Sequence, residues 1–253
     1  MTLHQVPIAN KEKVIIVGAG IGGLASSLRL SHLGYDVKVI ERANSAGGKL
    51  RTITGSTGEI DIGPTVLTLL PIFQKLFKSV GEDIFEHVDL VRQKIIARHW
   101  WPDGTSLDLY DDFETSRDAI MNFSGSSSAI EFEKYFCDTR DLFSCFDLPV
   151  MQNPRPSILD MNRAVLSNPK ILSKMHPLRT LSSLLNYRFR DVRLRQLFGR
   201  YATYVGGSPL ESPALLSLVW QAEAQGVWSI KGGMRKLARV IEQLAKARGA
   251  SFN

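Results

Sequence analysis

A glycine turn between an apolar strand and a helix is the sequence feature that most constrains how this 253-residue chain can fold. The apolar residues 14–17 lead into G-x-G-x-x-G spacing at Gly18, Gly20 and Gly23. In a β-α-β unit the first glycine permits the tight turn, and the second lets the backbone approach a pyrophosphate. The third lets the helix lie close to the sheet. The spacing predicts a parallel α/β start with an anion site at the first turn.

A second apolar strand completes this unit and ends in a carboxylate. Residues 37–40 are Val-Lys-Val-Ile, and Glu41 follows Gly20 by 21 positions. At an interval of about 20 residues, an acidic side chain meets the ribose hydroxyls of a bound dinucleotide. We infer that the chain binds a dinucleotide or descends from a protein that did.

The composition is that of an ordinary globular protein and excludes several classes. Hydrophobic residues make up 44% of the chain and charged residues 22%. No run reaches the roughly 18 apolar residues of a membrane span, and residues 1–13 lack the apolar segment of a signal peptide. Cys137 and Cys145 have no C-x-x-C spacing and are expected to be reduced core thiols, with no metal site. A cytoplasmic protein, soluble or peripherally bound to a membrane, is predicted.

The period of the apolar residues changes after the first unit, which indicates a second domain. Residues 95–101 and 106–110 flank Pro-Asp-Gly-Thr, and Asp-Gly between apolar segments is typical of a β-hairpin. The sequence therefore predicts an α/β, Rossmann-like domain of residues 12–70 and 225–253, interrupted by an α+β substrate domain of residues 71–224. Because only four residues follow the last predicted helix, the sheet of the first domain is expected to be incomplete.

Most of the second domain is predicted to be helical. Proline and glycine punctuate the pattern, and residues 124–128 are expected to form a Ser/Gly loop. The predicted helices run from Pro71 toward Gly81, from an N-cap at Asp112 through Phe123, over Ile130–Phe146, over Pro213–Ala224, and from Met234 to a C′ residue at Gly249.

Several segments resemble flavin-dependent carotenoid desaturases, the bacterial-type phytoene desaturase family. Together they cover nearly the whole chain. Within that family the chain is most similar to the branch that acts on hydroxylated or methoxylated neurosporene derivatives. The segments are residues 41–52, 60–65, 191–206 and 232–234 for the family, and residues 63–68 and Ala97-Arg98-His99 for the branch.

The resemblance implies that the dinucleotide is FAD, whereas the residues alone leave FAD and NAD open. A second glycine pair soon after Glu41 gives another close backbone approach, as a ligand extended across the sheet needs. Lys49 stands where the wider flavoprotein pattern has Arg, so it offers a point charge in place of a planar fork. The implied FAD-binding residues are Gly18, Gly20, Gly22, Gly23, Glu41, Arg42, Gly47, Gly48, Lys49, Gly63, Pro64 and Thr65.

The resemblance also implies a reaction, the desaturation of an acyclic carotenoid by hydride transfer from a polyene C–H bond to the flavin. The protein would place that bond against the flavin ring and exclude water. Members of the family are longer, so the chain is expected to match their N-terminal half. A flavin-dependent polyene saturase or isomerase, and a catalytically silent fragment that acts only as a binding module, remain alternatives.

Three polar residues in the matching region are candidates for substrate contact. They are Asp191, Arg193 and Arg200. An apolar substrate tunnel needs few polar groups, but a solvated or salt-bridged helix face explains the same residues equally well. No residue is assigned as the catalytic base.

The net charge of +6 is concentrated in one segment. Residues 151–200 contain ten Lys or Arg and two Asp, a net charge of +8, whereas the rest of the chain carries −2. With its leucines, this segment predicts an amphipathic surface resting on the inner face of a membrane, or a basic surface over a helical core. No recognition motif for nucleic acid accompanies the charge, so nucleic acid is not an expected partner.

Overall fold

The computed structural model describes residues 12–56 and 58–253, which form two compact units. The first unit contains the chain as far as Gln93 together with Val227–Asn253, and the second is Lys94–Gly226. The described strands are β1 (Lys13–Val17), β2 (Asp36–Ile40), β3 (Thr52–Gly55), β4 (Gly58–Asp61), β5 (Leu90–Arg92), β6 (Ile95–Trp100), β7 (Ser106–Tyr110), β8 (Trp228–Ile230) and β9 (Ser251–Phe252). The described α-helices are α1 (Ile21–His32), α2 (Leu70–Lys78), α3 (Ile84–His87), α4 (Phe113–Ser124), α5 (Ser126–Phe146), α6 (Ile158–Ser167), α7 (Lys170–Met175), α8 (Leu181–Arg188), α9 (Val192–Gly199), α10 (Gln221–Ala224) and α11 (Arg235–Ala247).

A three-stranded parallel sheet in the order β1-β2-β9 organises the first unit. Val37 and Val39 of the central strand are fully buried, in one apolar core with α1 and α11. Leu24 and Leu28 of α1 and Ile241 of α11 recur at helical spacing and fill this core. The β-α-β start predicted from the glycine turn is confirmed, and the fold is Rossmann-like.

Strand β1 forms one edge of this sheet, with β2 as its neighbour. Its side chains are unusually exposed for apolar residues, with Ile15 at 63% and Val17 at 86% exposure. Unpaired N–H and C=O groups on an apolar edge strand favour pairing with further chain. Within the described residues, this edge is uncovered.

The first unit extends further along the chain than residue 70, where the sequence analysis ended the first domain. Leu70, Phe77 and Ile84 lie in the same core as Leu237 of α11. Strand β5 then pairs with β8, so the chain leaves the first unit after Gln93. The difference arises because apolar spacing identifies α2 as a helix but does not show which core it enters.

The second unit packs helices against one hairpin. β6 and β7 pair around Asp103-Gly104, as predicted, and Asp112 caps α4 by accepting a hydrogen bond from Thr115 N. Aromatic side chains dominate the core, and the ring centroids of Tyr135 and Phe198 lie 4.7 Å apart. Fully buried Phe132 stacks on Phe198, with ring centroids 5.9 Å apart.

Three local predictions need correction. The loop predicted over residues 124–128 is a single break at Gly125, whose φ of +88° suits glycine, so α5 begins at Ser126. The helix predicted over Pro213–Ala224 is a 3₁₀ helix from Ala214 to Trp220 followed by the short α10. Cys137 and Cys145 are free thiols, as predicted, but both are only partly buried.

Within the described residues, no helix combines the length and apolar character that crossing a bilayer requires.

Candidate dinucleotide site

The glycine turn joins β1 to α1, and two of its glycines are required by the fold itself. Gly18 has a φ of +94°, a left-handed conformation that L side chains rarely adopt. A Cβ added to Gly23 would lie 2.0 Å from the carbonyl oxygen of Gly18, which is closer than any real contact. Both roles match those predicted from the spacing.

Gly20 and Gly22 differ because no described residue requires them to lack a side chain. A Cβ added to either residue meets no atom within 4 Å, and Gly20 has a φ of −69° that any residue can adopt. The space beside the turn is therefore open, at the start of a helix whose first turn has no side-chain cap and no acidic residue. Backbone N–H groups and the helix dipole favour an anion there. A phosphate approaching closely explains these two glycines.

Glu41 lies directly over this turn. One carboxylate oxygen accepts from Ala19 N at 2.6 Å, and the other accepts from Ala43 N at 2.8 Å. These backbone hydrogen bonds lower the pKa of Glu41, so the side chain stays ionised. A carboxylate has about four acceptor positions, so those not used by the backbone can accept from ribose hydroxyls.

The second glycine pair packs onto the first turn, a contact that the sequence did not predict. Gly47 N donates to Ala19 O at 2.8 Å, and Gly47 forms a parallel bridge with Gly20. A Cβ added to Gly48 would lie 2.9 Å from the Cα of Gly20. The two turns therefore form one backbone surface. The sequence feature that could have predicted this contact is the glycine pair that follows each of the two parallel strands.

Another close backbone contact brings Gly63, Pro64 and Thr65, which were also predicted to bind the cofactor, next to the second glycine turn. A Cβ added to Gly63 would lie 1.9 Å from Lys49 O, which brings the Gly63-Pro64-Thr65 segment against the second glycine turn. The side chains of Arg42 and Lys49 are exposed beside the two turns. The predicted cofactor residues are thus contiguous in space. The open backbone of the glycine turns, the anion position at the start of α1 and the ionised Glu41 carboxylate together fit a dinucleotide.

Asp191 and Arg193, two of the substrate candidates, are tied into the second unit. Asp191 caps α9 by accepting from Arg193 N at 2.8 Å, and it also accepts from Ser124 Oγ at 2.6 Å. The Arg193 guanidinium pairs with this carboxylate at 2.8 Å and lies 4.0 Å from the ring centroid of Phe123. The pairing lowers the pKa of Asp191 to about 2. This geometry matches the salt-bridged alternative, with both charges compensated internally.

Arg200 belongs to a different cluster, centred on Glu223 of α10. The Glu223 side chain is only 6% exposed and accepts from Arg200 Nη2 at 2.6 Å. Tyr201 Oη donates to the same carboxylate at 2.7 Å, and Tyr204 Oη donates to its other oxygen. Burial and the carboxylate raise the pKa of Tyr204 to about 12, so this phenol stays protonated. Sequence reasoning missed Glu223, although a lone acid in an apolar segment was a visible signal.

Among the described residues, Glu82, Glu86 and His87 bring potential metal ligands within 4.8 Å of one another. Glu82 already accepts from Arg248 at 2.6 Å and lies 2.8 Å from His87 Nε2. The arrangement is therefore explained by ion pairing within the first unit.

Comparison with known proteins shows that the fold of this chain recurs. Residues 16–82 match the family model described as an NAD(P)-binding Rossmann-like domain. An oxidoreductase from Methanosarcina mazei superposes with a TM-score of 0.62 at 18% identity, over 95% of this chain and 50% of that one. Putrescine oxidase bound to putrescine superposes with a TM-score of 0.60 at 17% identity, over 96% and 51%. At such identity these likenesses show the fold.

Fold and site together define a Rossmann-like dinucleotide-binding protein with an inserted second unit. More specifically, the chain is a homologue of the hydroxyneurosporene desaturases, which confirms the predicted family. It is 44% identical to that of Cereibacter sphaeroides over 94% of this chain and 48% of the relative. It is 41% identical to that of Rhodobacter capsulatus over 95% and 49%. The chain thus spans about half the length of the relatives it matches.

Proposed function

We propose that this chain is the cofactor-binding portion of an FAD-dependent oxidoreductase that desaturates an acyclic carotenoid. The observation that carries the proposal is the extent of the similarity to hydroxyneurosporene desaturases, which covers 94% of the chain and so includes both units. The Rossmann-like family model, by contrast, matches only residues 16–82.

The site supports FAD as the cofactor. When bound, FAD supplies the hydride acceptor for the reaction. Within this chain, the first glycine turn would hold the pyrophosphate and Glu41 would accept from the ribose hydroxyls. The Gly47-Gly48 turn packs on Gly20 and extends the backbone surface beyond that turn, as an extended ligand requires.

Equilibrium titration of the purified chain with FAD, NAD⁺ and NADP⁺ tests the cofactor. FAD is expected to bind most tightly, and Glu41→Gln is expected to weaken it about tenfold or more, because hydrogen bonds to a charged acceptor are lost. Glu86→Gln, at an exposed acid on α3, is the matched control and should bind like the wild type. Tighter binding of NAD⁺, or no binding of any dinucleotide, would contradict the proposal.

Anaerobic mixing with a hydroxylated acyclic carotenoid tests the reaction. Bleaching of the flavin together with a product containing one more conjugated double bond supports desaturation. A product with fewer or rearranged double bonds supports the saturase or isomerase alternative. Bound FAD that never bleaches supports the silent binding module.

We also propose that the second unit rests peripherally on a membrane through α6. None of the residues of α6 is buried, and Ile158, Leu159 and Leu166 are 73%, 66% and 77% exposed. Helical spacing places these side chains on the outward side with exposed Arg163, and Arg155 precedes the helix. Apolar residues beside basic ones suit an interfacial helix, and the anionic cytoplasmic leaflet has the complementary charge.

Co-sedimentation with vesicles tests this docking surface. Binding to vesicles of phosphatidylcholine and phosphatidylglycerol, weakened by salt and absent with phosphatidylcholine alone, is expected. The triple variant Ile158→Ser, Leu159→Ser, Leu166→Ser should abolish it. Ile53→Ser with Ile60→Ser, on the exposed β3–β4 hairpin, is the matched control and should leave it intact. Binding that survives the triple variant would refute a role for α6.

A further inference from the structure

A cavity of about 550 Å³ in the second unit is lined by residues of α5, α8, α9 and the turn between α8 and α9. Four of its side chains are positively charged and one is negatively charged. They are Lys134, Arg188, Arg190 and Arg195, against Glu131. The three arginines belong to residues 151–200, the segment with a net charge of +8. Part of that charge is therefore gathered around one cavity.

Two of the four cations already have a carboxylate partner. Glu131 Oε2 accepts from Arg190 N at 3.0 Å, and its Oε1 lies 3.4 Å from Arg190 Nε. Arg188 pairs through Nη2 with Asp138. The acid that lines the cavity is thus occupied, and each of these two arginines has a counter-charge.

The other two cations, Lys134 and Arg195, form no ion pair within the part of the chain that the structure describes. Lys134 lies one helical turn after Glu131 on α5, so both side chains occupy the same face of that helix. Arg195 Nη2 donates at 2.7 Å to the carbonyl oxygen of Arg190, the residue that Glu131 holds. These contacts bring α5 and α9 to opposite sides of the Arg190 turn. The cavity is left with two uncompensated positive charges.

Neutral acceptors hold the Arg195 guanidinium in place. Besides the Arg190 carbonyl, its Nε donates to Phe189 O at 2.8 Å and its Nη1 donates to Asn186 Oδ1 at 3.2 Å. These oxygens orient the guanidinium but do not neutralise it. A guanidinium has five N–H donors, so two remain for a ligand. Because the side chain is already ordered, binding an anion would not have to immobilise it.

We propose that this cavity binds a phosphomonoester group, carried either by a small soluble molecule or by a lipid headgroup. Such a group has close to two negative charges at neutral pH, which matches the two uncompensated cations. Its terminal oxygens accept several hydrogen bonds, and the planar Arg195 guanidinium can donate two of them. A carboxylate would neutralise only one of the two charges. The site lies wholly within the second unit and does not rest on the proposed function.

Calorimetric titration with glycerol 3-phosphate tests the soluble source. The wild-type chain is expected to bind it with a dissociation constant below about 1 mM. Lys134→Gln with Arg195→Gln should weaken binding about tenfold or more, because charged hydrogen bonds are lost. Lys134→Gln alone, at an exposed position, leaves the Arg195 contacts intact and should still weaken it severalfold. Lys75→Gln with Lys78→Gln, on exposed positions of α2, removes the same charge and is the matched control.

Co-sedimentation with phosphatidylcholine vesicles tests the lipid source. The vesicles contain either phosphatidic acid, whose headgroup is a phosphomonoester, or phosphatidylglycerol, a diester, at equal total charge. A preference for phosphatidic acid that Lys134→Gln removes identifies a lipid ligand. Binding of glycerol 3-phosphate without that preference identifies a soluble one.

Two results would overturn the proposal. One is that neither ligand binds in a way that depends on Lys134 and Arg195, and the other is that the α2 control weakens binding equally. Neither measurement involves FAD or a polyene, so failure here leaves the proposed function standing.

Discussion

Single glycines in the first turn are constrained by different partners. Gly23 is required by a backbone oxygen of its own fold, because a Cβ there would lie 2.0 Å from Gly18 O. Gly20 faces space that is open among the described residues and has an ordinary φ, so a bound ligand explains why it is glycine. These two glycines, three positions apart, therefore separate a requirement of folding from a requirement of binding.

Substituting each glycine by alanine should separate these roles. Gly23→Ala is expected to destabilise the chain by several kcal/mol, on the order of the most severe point substitutions, because its Cβ overlaps backbone. Gly20→Ala should leave the midpoint of chemical denaturation nearly unchanged and weaken dinucleotide binding. Urea denaturation and FAD titration measure the two effects. Equal loss of stability in both variants would show that the turn, rather than a ligand, constrains Gly20.

The roles of single residues could be predicted from the sequence where they depend on spacing within one segment. They could not be predicted where they depend on contacts between residues far apart in the sequence. The roles of Gly18 and Gly23 follow from fixed intervals within one β-α-β unit. The packing of Gly48 on Gly20 and the pairing of Arg200 with Glu223 join residues more than 20 positions apart. No periodicity encodes such contacts, because they depend on how complete elements pack.

At the scale of an element, α9 shows how a candidate site residue can be a helix cap. Asp191 accepts a hydrogen bond from a backbone N–H at the start of α9 and forms an ion pair with Arg193. These two local interactions account for both side chains without a ligand. The neighbouring 3₁₀ helix over Ala214–Trp220 was predicted as α-helix, because apolar composition does not distinguish these two hydrogen-bonding patterns. The β6–β7 hairpin was predicted correctly because Asp103-Gly104 specifies its turn.

Stability that depends on Asp191 should vary with pH in a defined direction. Its pKa is lowered to about 2 in the folded chain, so its stabilisation is complete above the unfolded value and is lost as pH falls from about 4 to about 2. Asp191→Asn should lower the free energy of unfolding by about 2 kcal/mol at neutral pH and by less at pH near 3. Urea denaturation across this range measures it, with exposed Asp118→Asn as the control. A pH-independent difference would contradict the pairing.

At the scale of the molecule, the second unit begins and ends at one point of the first. β5 and β8 pair in antiparallel register, and Gln93 N donates to Val227 O at 2.8 Å. The core of the first unit contains only residues before Gln93 and after Val227. The insertion therefore interrupts the sequence of the first unit but not its core or its strand pairing.

Removing the insertion should leave a protein that folds. Joining Gln93 to Val227 through Asn-Gly closes β5 and β8 with a two-residue turn of the type that hairpins prefer. The shortened chain is expected to unfold cooperatively and to bind FAD within about an order of magnitude of the intact chain, because the site lies in the first unit. Calorimetry and FAD titration measure this. Loss of cooperative unfolding would show that the first unit depends on the second.

The closeness of Gln93 to Val227 also bears on how such proteins diversify. Where both ends of an insertion leave from paired neighbouring strands, one inserted unit can be exchanged for another without changing the strand pairing of its host. The first unit can then stay constant while the inserted unit changes by recombination at two positions. The β5–β8 junction is therefore the place to cut when the inserted unit is exchanged between relatives of this chain.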